Sequence, residues 1–272
     1  MIFYLKNSDF ESLSYKGVTV ILFYVAMTLR LLQLLLFIPF INLIGYGQQS
    51  IAYPTKNSIQ KLDLKTGIRE LNLTMTSGSD WPVMVSVPEQ INKQNVLMIL
   101  ALHWGVSANR YQEFMNCLML PAIDTSKYLV IAPLSQHQAW WENPKEKQLV
   151  KLLELIKEYW PVGQVIVAGY SDGGTGAVHF ASKYSNLIDG AIAMAGYYRY
   201  VGQYGVPTYV IHGVKDELFS YSRSKSIMEK NQIKDPNLMF VTIESLGHYQ
   251  GCAYVKHLED GFKWIEQKLI ID

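Results

Sequence analysis

Apolar positions along the chain switch repeatedly between two spacings. Residues 71–75 and 83–87 are short alternating or apolar runs separated by TSGSDWP, which predicts an early antiparallel hairpin. VLMILALHW (96–104) is apolar without interruption, as a strand buried on both faces must be. YLVIAP (128–133), QVIVAG (164–169), IDGAIAMAG (188–196), PTYVIHG (207–213) and LMFVTIE (238–244) predict further strands. Between them, 109–119, 145–159, 173–184, 221–230 and 254–268 read as helices. In the second of these, Leu149, Leu152, Leu153 and Ile156 fall at the helical period. Strands alternating with helices predict an α/β fold, a mostly parallel sheet covered on both faces. No repeat, low-complexity tract or linker interrupts residues 48–272, which read as a single domain.

The N-terminal segment has a different pattern. Residues 18–44 are strongly apolar, broken only by Arg30, Gln33 and Asn42, and are long enough for a membrane span. From Met27 the chain reads MTLRLLQLLLFIPFINLIGYGQ: one basic residue, an apolar stretch, then small residues before Gln48. That is the pattern of a secretory signal peptide with 45–47 as its cleavage tract. Met27 is then the expected start, because Asp9 and Glu11 are out of place in a signal's basic leader. An uncleaved membrane anchor over residues 1–47 is the alternative. Either way the remainder is expected to be exported, to a periplasm or the medium, with membrane contact only through that segment.

Composition narrows the partners. A chain of 272 residues with 49% hydrophobic residues can bury a large core. Its net charge is +1 and no basic run is present, which argues against a nucleic-acid partner. Cys117 and Cys252 stand far apart and outside any CxxC or Cys/His cluster, which argues against zinc. Two such cysteines are expected as unpaired apolar side chains, although export would permit a disulfide. No HExxH and no carboxylate cluster suggests a metal. The Gly-rich SDGGTG lacks the Lys-Ser/Thr of a phosphate-binding loop. No cofactor is expected.

Four reactive side chains, His103, Ser171, Asp216 and His248, fall just beyond expected strand ends, and in parallel sheets chemistry gathers beyond those ends. Gly169-Tyr170-Ser171-Asp172-Gly173 matches G-x-S-x-G between a strand and a helix, the context of a nucleophile elbow. Its bland alternative is a Gly-rich turn with a capping serine. A serine needs a base to take its proton and a carboxylate to orient that base. Asp216 follows in the turn after a strand, with its neighbour Glu217 as fallback, and His248 follows in the loop before the last helix. Ser, Asp, His is the chain order of that architecture. Asp172 is read as a structural side chain whose N–H is one oxyanion donor. The second donor is expected from Trp104 or Gly105, each such donor being worth about 3 kcal/mol.

LHWG, GYSDGG, IHGVKDELF and LGHY together resemble the serine α/β-hydrolases. The likeness is greatest to small cap-less esterases of the phospholipase/carboxylesterase, dienelactone-hydrolase-like and polyhydroxybutyrate-depolymerase-like groups. It spans residues 102–249. The resemblance implies an eight-stranded, mostly parallel sheet and a small-molecule or carrier-linked ester or thioester substrate. The chain departs from it in two places. His-Trp-Gly stands where many relatives have His-Gly, and Ser171 stands where dienelactone hydrolases use cysteine. The short connection between AMAG and PTYVIHG leaves no room for a cap domain. By the same resemblance, Trp140 or Trp141 borders the substrate, against a reading of both as core or surface aromatics. For Tyr197, Tyr198 and Tyr200, packing is weighed against stacking on a substrate. A serine peptidase of the same fold and a non-catalytic binding protein are the competing expectations.

Overall fold

The computed structural model describes residues 50–89, 91, 96–105, 110–199 and 202–271. The segment 1–47, expected from the sequence to be a signal peptide or anchor, lies outside these residues, as does Tyr200. Among the described residues no helix is long and apolar enough to cross a membrane.

Eight strands form one sheet in the order β1-β2-β4-β3-β5-β6-β7-β8. β1 (Gly67–Thr74) and β2 (Asp80–Val87) are the expected antiparallel hairpin, and β2 joins β4 (Tyr128–Pro133) antiparallel. From β4 onward every pairing is parallel, through β3 (Val96–Leu102), β5 (Val162–Tyr170), β6 (Gly190–Met194), β7 (Thr208–Gly213) and β8 (Leu238–Ile243). β1 is an edge strand, and exposure along it alternates: Ile68, Glu70, Asn72 and Thr74 face outward, and three of these four are polar.

The central strands explain the uninterrupted apolar runs. Met98, Leu100 and Leu102 of β3 enter one core layer, while Ile99 and Ala101 enter the other. β5 repeats the division with Val165 and Val167 against Ile166, Ala168 and Tyr170. Successive strand side chains point to opposite faces, so a strand covered on both sides must be apolar at every position.

The first layer is covered by α1 (Lys56–Gln60), α3 (Lys145–Tyr159), α4 (Asp172–Lys183) and α5 (Tyr221–Gln232). Leu149, Leu152, Leu153 and Ile156 of α3 are all essentially buried, as their spacing predicts. Each such side chain is worth roughly 1.5–3 kcal/mol of burial. The second layer is covered by α2 (Arg110–Phe114) with the π-helical turn Met115–Met119, and by α6 (Val255–Ile271).

Three features differ from the sequence expectations. β3 stops at Leu102, so His103 and Trp104 belong to the following loop. The helix expected over 109–119 loosens into π geometry at Met115. Cys117 and Cys252 are joined in a disulfide across 135 residues, contrary to the expectation of two unpaired side chains. It couples the π-helical turn to the short 3-10 helix Gly251–Tyr254 that leads into α6. Their separation in sequence hides this; the fold stacks both segments over the same core layer.

Candidate active site

Ser171 sits on the turn from β5 to α4 with φ 56° and ψ −113°. A non-glycine residue in that region is strained by about 1–3 kcal/mol, which its surroundings must offset. They do so on both sides of the serine. Its N–H donates to the Met194 carbonyl (2.8 Å), and its carbonyl accepts from Thr175 N–H (3.0 Å). The two flanking glycines are required by close approach. A Cβ on Gly169 would lie 2.2 Å from the Gly173 carbonyl oxygen, and one on Gly173 would lie 1.8 Å from the Leu102 oxygen. The elbow can be this tight only where neither carries a side chain.

Ser171 Oγ lies 2.9 Å from Nε2 of His248, whose Nδ1 lies 3.0 Å from Oδ2 of Asp216. An Nδ1–H donating to the carboxylate leaves Nε2 free to accept the serine proton. The three residues come from separate loops, after β5, β7 and β8, as the chain order predicts. Burial pushes the Asp216 carboxyl up, but the His248 hydrogen bond and the Phe219 and Leu218 N–H groups outweigh it. The net pKa lies below the ordinary carboxylate value. Those two N–H groups donate to Oδ1 at 2.6 and 2.9 Å.

Glu217, the fallback acid, holds the same histidine by its main chain instead. Its Oε2 accepts from the His248 N–H (2.6 Å). On the opposite side of that residue the Tyr170 hydroxyl donates to the His248 carbonyl (2.7 Å). Burial pushes the Tyr170 hydroxyl well above its ordinary pKa, so it remains a donor. The histidine's backbone is thus gripped at both polar atoms.

Two residues in this assembly have no role that sequence reasoning assigns. Tyr170 has no signal beyond its place next to Ser171. His212, fully buried, lies with Nε2 3.1 Å from the Phe219 carbonyl and 3.4 Å from Asp216 Oδ2. Burial lowers its pKa, keeping it neutral behind the acid. Its signal is a histidine at the end of the strand that precedes Asp216.

The loop after β3 is held from within. The buried His103 accepts from Ser135 N–H at Nε2 (3.1 Å), so Nδ1 carries the proton and donates to the Trp104 carbonyl (3.0 Å). Burial pushes its pKa down to about 4, which keeps the ring neutral. The His103 carbonyl accepts from the Trp140 indole N–H (3.0 Å). Two successive carbonyls are therefore anchored to buried rings. In trans peptides the N–H opposes the C=O, so the Trp104 and Gly105 N–H groups face away from those rings. The Asp172 N–H heads α4, where first-turn N–H groups have no partner inside the helix. Trp104, Gly105 and Ser171 line one pocket.

Trp140 does not border that pocket. It is fully buried, and the sequence expectation of a substrate contact is corrected for it: the indole faces the His103 carbonyl and packs against Gly176. Trp141 is half-buried against the same core layer and is not part of the pocket wall. Tyr198 is also core, its hydroxyl accepting from Gly196 N–H (3.0 Å). The Asp172 carboxyl is pushed up to about 7, first by burial and then by the charge of Glu142, and it plays no part in the serine–histidine–aspartate chain of hydrogen bonds.

The pocket has a volume of about 680 Å³. Trp104, Tyr170, Leu218 and Ala253 supply apolar wall, and Arg110 and Glu113 supply one charge of each sign. Among the described residues no group of three His, Cys, Asp or Glu is arranged to hold a metal ion.

No protein-family model and no curated protein matches the sequence. Solved structures do match in fold. The chain superposes on a poly(3-hydroxybutyrate) depolymerase from Bordetella parapertussis with TM-score 0.59 at 16% identity, covering 76% of this chain and 94% of that one. For an S-formylglutathione hydrolase from Staphylococcus aureus the TM-score is 0.58 at 14% identity, over 73% and 96%. For a thermostable esterase it is 0.57 at 15% identity, over 74% of this chain but only 62% of that one. The eight-stranded sheet, its helical layers and these neighbours give this chain the α/β-hydrolase fold.

Proposed function

We propose that this protein is a serine hydrolase that cleaves carboxylic esters or thioesters through a covalent acyl-enzyme. The observation that carries the reading is the hydrogen-bonded chain from Ser171 to His248 to Asp216, built on a strained elbow at the rim of a pocket. The fold neighbours named as an esterase, an S-formylglutathione hydrolase and a poly(3-hydroxybutyrate) depolymerase support an acyl-transfer reaction.

In this mechanism Ser171 Oγ attacks the ester carbonyl as its proton passes to His248 Nε2. The Asp216 carboxylate stabilises the imidazolium and does not itself take the proton. Negative charge on the carbonyl oxygen is met by the N–H of Asp172 and by that of Trp104 or Gly105. The tetrahedral intermediate collapses, and the alcohol or thiol leaves with the proton from His248. Water then repeats the sequence: His248 takes a proton from it, hydroxide adds to the acyl group, and the acid departs as Ser171 is reprotonated. The body is exported. The disulfide favours an oxidising compartment, and the apolar segment after Met27 favours a signal peptide or anchor.

The test is a panel of p-nitrophenyl esters from acetyl to long acyl, with a feruloyl ester, run on the purified protein beside Ser171→Ala. A nitrophenol burst that vanishes in the variant is expected. A folded protein with no Ser171-dependent turnover of any ester would overturn the reading.

A further inference from the structure

Arg199 and Arg223 converge on one aromatic ring at the border of the site. Their guanidinium carbons lie 4.6 and 5.0 Å from the centroid of the Tyr197 ring, although the two residues come from different segments of the chain. Stacking on an aromatic face holds a guanidinium in place while leaving its N–H edge free. Among the described residues neither arginine forms an ion pair or a side-chain hydrogen bond. Some surface cations elsewhere do: Lys183 pairs with Glu146, Lys225 with Glu229, and Lys256 with Asp260. Arg223 stands in the first turn of α5, which carries no acidic residue. A cation is disfavoured at that end of a helix, where the backbone dipole is positive. Two exposed like charges therefore share one ring in a positive local field, with no carboxylate paired to either among the described residues.

The pair is tied to the catalytic residues. The Tyr197 N–H donates to Thr175 Oγ1 (2.8 Å), one turn into the helix that Ser171 begins. The Tyr197 ring packs on Phe219 at 5.6 Å, and Phe219 meets the His248 imidazole edge-on at 5.1 Å. Neither Tyr197 nor Phe219 lines the pocket, so this surface borders the catalytic histidine from outside it.

We propose that Arg199 and Arg223 form an anion-binding subsite that selects esters carrying a carboxylate on the half of the substrate left outside the pocket. The inference rests on the ester-hydrolase reading of the same site. Two ring-to-ring steps separate Tyr197 from His248, so the carboxylate must stand several bonds from the reacting carbonyl. A planar guanidinium fork accepts a carboxylate through two parallel N–H···O bonds. A pair of them discriminates a free acid from its own methyl ester.

The test compares 4-nitrophenyl hydrogen suberate with methyl 4-nitrophenyl suberate, which differ only in the distant charge. 4-Acetoxyphenylbutyrate and its methyl ester do the same for charge on the alcohol half. For at least one pair the native protein is expected to favour the free acid about tenfold in kcat/KM, chiefly through KM, and less so at high salt. In Arg199→Ala/Arg223→Ala the preference disappears while turnover of the methyl ester is retained. Equal turnover of acid and methyl ester by the native protein, or a preference that survives the double substitution, overturns the subsite and leaves the hydrolase reading intact. Calorimetric titration of Ser171→Ala with hydrogen suberate separates the two readings in the other direction. The same titration is made with 4-acetoxyphenylbutyrate; binding of either that is lost when both arginines are also changed upholds the subsite even if no ester is hydrolysed, and binding of neither overturns it.

Discussion

Breaking the Cys117–Cys252 bond is the perturbation that most directly tests how the pocket is held together. The bond closes a loop of 135 residues, and chain-entropy arguments give about 5 kcal/mol for a loop of that size. Residual order in the unfolded chain and any native strain reduce this, so about 2–5 kcal/mol is expected. For a domain of this length that corresponds to a melting temperature lower by roughly 10 °C. The effect should extend beyond stability. Cys252 lines the pocket in the turn that follows His248, and its partner belongs to the helical segment whose Arg110 and Glu113 also line it. Severing the bond releases one side of the pocket from the other, so substrate binding should weaken while the triad stays assembled. The assay is thermal and urea unfolding of Cys117→Ser/Cys252→Ser and of dithiothreitol-treated native protein, with thiol alkylation and mass spectrometry to verify the redox state. KM and kcat would be measured on one ester in parallel. If alkylation proves the bond open while the melting temperature moves by less than about 1 °C, the loop-closure reasoning is refuted. If the untreated protein alkylates at both cysteines, the bond itself is refuted.

Trp140→Phe removes the donor to the His103 carbonyl and leaves that oxygen buried, at a cost of about 1–3 kcal/mol. It should lower kcat about tenfold or more with little change in KM if the loop it anchors carries the proposed oxyanion donors; unaltered kcat in a folded variant would remove that role. Gly173→Ala drives a methyl into the Leu102 backbone oxygen, so loss of folded protein by circular dichroism is expected, at about 3 kcal/mol or more. Asp172→Asn tests the raised carboxyl. The folded-state pKa of about 7 lies above the ordinary 3.9, so the penalty on the native fold is absent below pH 4, grows towards pH 7 and is complete above it. The stability gain of the variant in urea should therefore be larger at pH 8 than at pH 5, and a gap independent of pH would show that the carboxyl is not perturbed.

Much of this protein is legible wherever the information is local. A strand buried on both faces must be apolar at every position, and a packed helix must be apolar at the helical period. Hence all eight strands and the four longer helices are readable from contiguous residues, with ends displaced by a few positions. The elbow is readable for the same reason: Gly169 and Gly173 answer to backbone atoms within one turn or directly beside it. Chain order then points to Asp216 and His248. Adjacent residues are another matter. Asp216 and Glu217 are equivalent on paper, and only the path of the loop after β7 aims one carboxylate at the imidazole and the other at the backbone of the same histidine. Trp140 and Trp141 differ by one position, yet chain geometry turns the first into the core behind the loop after β3. The pairing of Cys117 with Cys252 and the meeting of Arg199 with Arg223 on Tyr197 depend on how distant segments stack over the sheet. Sequence spacing along one element is a short-range constraint that composition can encode, whereas contacts between elements depend on closure of the whole chain. The serine elbow and its chain of hydrogen-bond partners were therefore determined by the sequence itself, while the tertiary structure decided which neighbours orient them, brace them and border the pocket.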